Sequence, residues 1–301
     1  MTTYDLTISV VSYNTRDYLR QCLNSIYENT QGISFEIIVV DNASTDGSAE
    51  MVAQQFPSVH LIKNNENRFF SGGHNQALAI ASGQFFLILN PDTIVPTGTL
   101  PRLVRFLKEN PKVGAVSCRE YDSNGNLVVT AGNLPGPAIQ ILEWTYLRGR
   151  VFKRAWDRFR LVDWNRDSLR RVDVVSGCFI MARTTLLRKI KGFDERIRLY
   201  FTEHDLCWNI GKADYEIYFV PDAHYIHAGQ RSTSQYPKEY IRKILFEDMI
   251  QYYTPRYGRL RSSLVMLTIR FLRKLERTLY YLWPPRWFRF AMSKLVTLVE
   301  S

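Results

Sequence analysis

The chain has 301 residues, 46% of them hydrophobic and 23% charged, with a formal net charge of +10. This composition excludes a disordered polyelectrolyte and suits one large domain with an appendage. No uncharged apolar run approaches the roughly 18 residues of a transmembrane helix, so none is expected.

Residues 6–11 are apolar and rich in β-formers, predicting a strand that runs into Ser12-Tyr13-Asn14. The stretch before it lacks a basic region followed by an apolar core, so no secretory leader is expected. Residues 16–29 carry Tyr18, Leu19, Cys22, Leu23 and Ile26 at helical spacing. Residues 35–40 predict a second buried strand ending at Asp41-Asn42. The turn chemistry of Ser44-Thr45-Asp46-Gly47-Ser48 then opens a helix over 49–56. A short strand over 59–63, a polar Gly-bearing loop and a helix over 73–81 lead to Phe85-Phe86-Leu87-Ile88-Leu89-Asn90-Pro91-Asp92. Five apolar residues there read as a strand buried on both faces. Pro91 cannot continue the ladder, which leaves Asp92 at the carboxyl end. That edge of an open α/β sheet is where ligands bind, and a carboxylate there can hold a divalent cation against a phosphate. The alternative is a simple turn over 90–93.

Strands alternating with helices at this spacing predict an α/β fold with a mostly parallel sheet flanked by helices, its strand ends gathered on one edge. Residues 101–110 predict a helix and 113–118 a strand. Asp122-Ser123-Asn124-Gly125-Asn126 predicts a hairpin turn. The aromatic, basic, Gly/Pro-marked stretch 134–171 predicts a mobile or partner-dependent excursion, after which 172–182 returns to the core and 184–190 predicts a helix. The four cysteines, Cys22, Cys118, Cys178 and Cys207, lack metal-type spacing and suit reduced core thiols in a cytoplasm.

From Lys238 onward the pattern becomes helical and basic. Leu264, Leu267, Phe271, Leu275, Leu279 and Leu282 share a face, with Arg270, Arg273, Lys274 and Arg277 largely opposite. Trp283-Pro284-Pro285-Arg286-Trp287-Phe288-Arg289-Phe290 then interleaves aromatics with arginines. Such segments suit an anionic membrane surface. The competing expectation is a helix packed on its own domain with a solvated basic face. No recognised motif supports nucleic acid as the partner.

Further segments join Asn90-Pro91-Asp92. They are Val10-Val11-Ser12-Tyr13-Asn14, Val39-Val40-Asp41-Asn42-Ala43-Ser44-Thr45-Asp46-Gly47-Ser48 and Asn67-Arg68-Phe69-Phe70-Ser71-Gly72-Gly73-His74-Asn75. Gly192-Phe193-Asp194-Glu195 and Thr202-Glu203-His204-Asp205-Leu206-Cys207-Trp208 complete the set. In this order and spacing the chain resembles inverting family 2 glycosyltransferases of GT-A fold, in their bacterial rhamnosyltransferase-like branch. The resemblance covers about residues 6–232. It implies a GT-A domain over 1–232; the basic helical pattern beyond it marks a C-terminal amphipathic region over 233–301, a candidate for membrane association.

The resemblance implies a nucleoside-diphosphate sugar as donor and Mg2+ or Mn2+ as cofactor. Asp41 would accept hydrogen bonds from the nucleobase or ribose, with Asn14 and the backbone at Ser12 as the neighbouring wall. Asp92 stands at the second acidic position of the family's Asp-X-Asp-like motif and would ligate the metal, with Asn90 in place of the first acid. Gly73 would allow close backbone approach at a helix start, where N–H groups favour anions. Asn75 would contact the donor, whereas His74 is expected to be structural. In this branch glycine usually stands where Phe69 and Ala77 do here.

Inversion needs a general base on the acceptor side. Glu203 holds that position in the family's acidic motif, with Asp205 as second candidate and Thr202 in place of the first acid. His227 matches a downstream histidine that would ligate the metal or bond the diphosphate, helped by Arg231 or Ser232. The expected activity is transfer of a sugar, rhamnose by the resemblance, to a hydroxyl of a lipid-linked or polysaccharide acceptor in cell-surface glycan synthesis. A polyprenyl-diphosphate-linked saccharide would suit a cytoplasmic enzyme peripheral on the inner face of the cell membrane. Nucleotidyl transfer is disfavoured because Ser12-Tyr13-Asn14-Thr15 is not a Gly-rich basic loop. A sugar-nucleotide-binding or membrane scaffold with impaired catalysis is the non-enzyme alternative, motivated by Thr202.

Overall fold

The computed structural model describes residues 4–143, 153–229 and 235–282. The chain opens with β1 (Tyr4–Ser12), α1 (Arg16–Asn29), β2 (Phe35–Asp41), α2 (Ser48–Gln55), β3 (His60–Lys63), α3 (Phe69–Ile80) and β4 (Gly83–Leu89). It continues through β5 (Thr93–Ile94), α4 (Thr99–Glu109), β6 (Val113–Tyr121), β7 (Leu127–Val128), α5 (Pro137–Glu143) and α6 (Lys153–Arg160). The remaining elements are β8 (Arg170–Val172), β9 (Phe179–Arg183), α7 (Thr184–Lys189), α8 (Thr202–Lys212), β10 (Glu216–His227), α9 (Lys238–Tyr257) and α10 (Arg259–Leu282).

The main path of the sheet is β3-β2-β1-β4-β9-β6-β10-β5. The first four strands are parallel, as the βαβ spacing predicts. Beyond β4 the sheet is mixed, because β9 inserts antiparallel between β4 and β6. The chain re-enters at the ligand edge there, with Phe179 opposite Leu89, instead of crossing over by a helix. β10 then runs parallel to β6. The carboxyl ends of β1, β2, β4, β6 and β10 and the start of β9 therefore meet on one edge. β10 escapes sequence reading because Pro221, Asp222 and His224 interrupt its alternation, and the sheet absorbs them as a register shift between Val220 and His224.

Strand alternation divides the core into two layers. Phe85, Leu87 and Leu89 face a layer closed by α1, α2 and α4, while Phe86 and Ile88 face one closed by α3, α7 and α8. All five are fully buried, each contributing about 1.5–3 kcal/mol. A third cluster joins Ile197 and Phe201 to Met249, Tyr252 and Tyr253 of α9 and Val265, Met266 and Ile269 of α10. The helices beyond residue 233 thus share a core with the segment leading into α8.

Two expectations need correction. α3 begins at Phe69 rather than Gly73, and its start is not open to an anion. Asn67 Oδ1 accepts the Phe69 N–H at 2.7 Å, and the Arg198 carbonyl accepts those of Phe70 and Ser71. The described part of the 134–171 excursion is pinned down, because buried Arg166 donates to the carbonyls of Ala131, Arg160, Leu161 and Trp164. A Cβ on Gly73 would come within 2.7 Å of Val11, so this glycine lets α3 lie flat on β1. Gly73→Ala is expected to lower stability by about 1–3 kcal/mol through overpacking, read as a lower urea midpoint at unchanged slope.

Candidate active site

A cavity of about 290 Å3 opens on the ligand edge, bordered by Val11, Tyr13, Asn90, Cys178, Glu203 and Tyr236 among others. On the same edge, Ser12 and Asp41 are register partners at the tips of β1 and β2. The Ser12 hydroxyl is 2.9 Å from Thr15 Oγ1, and Asn14 Oδ1 accepts the Thr45 N–H at 2.7 Å. Both side chains therefore shape the loops of the wall. Asp41 differs: Oδ1 accepts the Ser44 N–H at 3.0 Å, while buried Oδ2 has no partner among the described residues. A buried acceptor left open is costly without a donor, so Oδ2 is free to accept from a ligand N–H or hydroxyl.

Residues absent from the motif reading complete this end. Tyr236 stacks on Tyr13 at 5.4 Å, its hydroxyl accepts from Asn67 Nδ2 at 2.5 Å, and Gln235 Nε2 donates to the Asn14 carbonyl. Chain from beyond β10 thus folds back over the pocket. Arg231 and Ser232 lie outside the described residues.

Asp92 stands on the turn after β4, closed by Thr93 Oγ1 donating to the Asn90 carbonyl at 2.7 Å. The turn and the ligand position are one device. Asp92 Oδ1 lies 3.2 Å from His227 Nε2, and Asn90 Nδ2 lies 3.4 Å from the same nitrogen. On the other side of the ring, His227 Nδ1 is 2.9 Å from Glu120 Oε1. Burial disfavours the charged imidazole, but hydrogen bonds to Asp92, Cys178 and Glu120 outweigh it and push the pKa up to about 12. Two nearly buried carboxylates around one ring make this a seat for positive charge. Asp92 Oδ1 and His227 Nε2 are close enough that both would serve one divalent cation. Carboxylate and amide-carbonyl oxygens suit Mg2+ or Mn2+, and the imidazole adds a softer nitrogen donor.

Glu203 reaches the cavity from the first turn of α8. Burial opposes its charge, but the His204 imidazole at 3.0 Å and the Thr202 hydroxyl at 3.1 Å hold its pKa below the usual glutamate value. It is an ionised carboxylate bordering the cavity. Asp205 lies about 200° further round the helix and turns away. Its carboxylate bonds Arg256 of α9 at 2.6 Å and Asn209 at 3.1 Å, with burial raising its pKa. Asp205 thus anchors α8 and is not among the residues that border the cavity.

Asn75 is likewise engaged. Its amide donates to the Phe193 carbonyl and Glu195 and accepts the Phe193 N–H, so it positions the Gly192–Glu195 loop instead of touching the donor. Gly73 packs on Val11, as above. His74 Nδ1 bonds Ser9 at 2.8 Å, and burial pushes its pKa down to about 3, leaving a neutral structural imidazole. The start of α8 is held from α9, where fully buried Asp248 accepts the N–H groups of Leu199 and Tyr200 at 2.8 and 3.0 Å.

An α/β sheet that gathers the tips of β1 and β2, the Asn90–Asp92 turn, His227 and Glu203 on one edge has the layout of a GT-A glycosyltransferase. Residues 7–190, more than half of the chain, match the model of glycosyl transferase family 2, and the chain belongs to that family. The N-acetylglucosaminyl-diphospho-decaprenol L-rhamnosyltransferase of Mycobacterium tuberculosis is 24% identical over 255 residues, 78% of this chain and 80% of the relative. Rhamnosyltransferase WbbL of Escherichia coli K12 is 22% identical over 73% of this chain and 82% of its own. In fold, the chain is similar to mannosyltransferase PcManGT from Pyrobaculum calidifontis, solved with GDP-Man and Mn2+. The TM-score is 0.54 at 19% identity, over 96% of this chain and 83% of that one.

Asp248→Ala strands two buried amides and weakens the Arg198 pairing. It is expected to cost about 3 kcal/mol and to lower transfer activity in the surviving folded fraction. Denaturant unfolding and turnover per active site would check both.

Proposed function

We propose that this chain is a metal-dependent inverting glycosyltransferase that moves rhamnose from a nucleoside diphosphate to a hydroxyl of a polyprenyl-diphosphate-linked saccharide. The observation that carries the reading is one cavity bordered by Asn90 of the cation seat and by ionised Glu203. The sugar and the lipid-linked acceptor are inferred from the rhamnosyltransferase relatives. Asp41 Oδ2 and the Tyr13 ring hold the nucleoside. Glu203 takes the acceptor hydroxyl proton as its oxygen attacks the anomeric carbon, and the bond to the diphosphate breaks on the opposite face. Asp92 and His227, with Asn90 beside them, would hold Mg2+ or Mn2+, which when bound neutralises charge on the departing diphosphate. The extended saccharide stays on its polyprenyl diphosphate, the nucleoside diphosphate leaves with the electron pair of the broken bond, and the proton passes from Glu203 to solvent.

No helix among the described residues is long and apolar enough to cross a membrane. α10 nevertheless leaves Leu260, Leu264, Leu267, Phe271 and Leu275 at 41–76% exposure, while Val265, Met266 and Ile269 pack inward. Arg270, Arg273 and Lys274 lie close by. A cationic helix with an uncovered apolar stripe fits the anionic inner face of the cell membrane, where a lipid-linked acceptor would lie. Trp283 to Phe290, expected to extend this surface, fall outside the described residues.

Three outcomes follow. Wild type transfers sugar with Mg2+ or Mn2+, and Glu203→Gln loses at least about 1000-fold in kcat with nucleotide affinity unchanged; full activity in that variant, with Asp205→Asn dead, would reverse the assignment of the base. Because the Glu203 pKa is depressed, its carboxylate stays ionised down to below pH 4.5. The acid limb of kcat therefore falls below that value, and a limb near pH 6–7 would contradict it. Leu264→Glu with Phe271→Glu should weaken sedimentation with phosphatidylglycerol vesicles at least about tenfold, and unchanged sedimentation would remove the membrane surface from the account.

A further inference from the structure

Glu120 lies in none of the motifs that point to the site. It stands near the end of β6, in register with Tyr225 on β10, one residue pair from where His227 follows. Its side chain is only 7% exposed. A buried carboxylate is destabilising unless both oxygens find partners. Here Oε2 accepts from the Tyr225 hydroxyl at 2.6 Å, and Oε1 lies 2.9 Å from His227 Nδ1. The Tyr225 ring is itself stacked on Phe179 at 4.8 Å, so the clamp reaches from β9 through β10 and β6 to the imidazole. With Nδ1–H given to Glu120, the other nitrogen, Nε2, is the one presented to Asp92 and Asn90.

We infer that Glu120 is a positioning residue of the metal seat: it fixes the tautomer and ring plane of His227, and Tyr225 fixes Glu120. The inference rests on the metal reading proposed above. Carboxylates that orient a metal-bound histidine raise its donor strength, and their loss weakens metal affinity about 10–100-fold. A rival arrangement uses Glu120 as a direct ligand, since its oxygen, the Cys178 sulfur and a His227 nitrogen lie within 4.8 Å of one another. In that arrangement Cys178 would matter as much as Glu120.

The test is Mn2+ binding to the full chain by titration calorimetry, with free Mn2+ checked by electron paramagnetic resonance. Glu120→Gln and Glu120→Ala are expected to raise the Kd about 10–100-fold, and Tyr225→Phe to raise it less. Cys178→Ala should stay within about twofold of wild type. In a His227→Ala background the Glu120 substitutions should have no further effect on Mn2+, because the residue acts only through that ring. A merely structural role would instead lower the melting temperature in chelator and leave the coupling to His227 at zero. Three results overturn the inference: Glu120→Gln binding Mn2+ like wild type, a Glu120 effect undiminished without His227, or a Cys178→Ala loss equal to that of Glu120→Ala. Wild type that binds neither Mn2+ nor Mg2+, with or without nucleoside diphosphate, overturns the metal reading itself and the inference with it. Glu120→Gln, which keeps an acceptor oxygen for Tyr225, covers the case in which Glu120→Ala does not fold.

Discussion

One imidazole ties the ligand edge together. His227 is the last residue of β10, and its two nitrogens face carboxylates delivered by different parts of the sheet: Asp92 from the turn after β4 and Glu120 from β6. Neither acid could sit nearly buried there alone without a large desolvation penalty. Around a protonated ring or a metal ion, the three groups stabilise one another. The mixed half of the sheet has its purpose here. Inserting β9 antiparallel beside β4 brings Cys178 to the same edge, and running β10 parallel to β6 brings His227 level with Asp92.

The second constraint acts on the opposite wall. A general base must be ionised and must stay aimed across the cavity at the acceptor. Glu203 is kept charged by His204 and Thr202, but its direction depends on how α8 begins. That start is fixed from outside the nucleotide-binding half, by Asp248 on the Leu199 and Tyr200 amides, by Arg256 on Asp205, and by Phe201 stacked on Tyr252 at 5.2 Å. α9 is therefore part of the framework that aims Glu203, the proposed base. α10 packs on it with one face and leaves an apolar stripe on another, so a single helical pair joins the base to the proposed membrane-facing surface.

Much of the first half was legible in the sequence because β1, β2 and β4 are buried on both faces and the helices between them follow at βαβ spacing. Residues 16–29 emerged with the predicted bounds, and Phe85 to Leu89 became the central strand. Asp92 was legible because Pro91 ends that strand so sharply. The rest depends on long-range contacts that no local pattern carries. Glu120 looks like an ordinary charged strand end until Tyr225 and His227 close on it from more than 100 residues away. β10 was hidden by Pro221, Asp222 and His224, which a register shift accommodates. Asn75 and Gly73 sat in the right motif, yet helix–sheet packing and the Gly192–Glu195 loop use them for positioning. Asp205 and Glu203 are two residues apart in sequence but face opposite ways, which only the helix phase and the partner Arg256 reveal.

The central claim is that His227 and Asp92 hold a divalent cation against the nucleoside diphosphate. Pulsed electron paramagnetic resonance of the Mn2+-loaded chain with a nucleoside diphosphate tests it most directly. The account predicts nitrogen modulation from a single imidazole and phosphorus coupling from the diphosphate, with the nitrogen signal lost in His227→Ala. Bound Mn2+ that shows no imidazole nitrogen in the wild-type chain would contradict it.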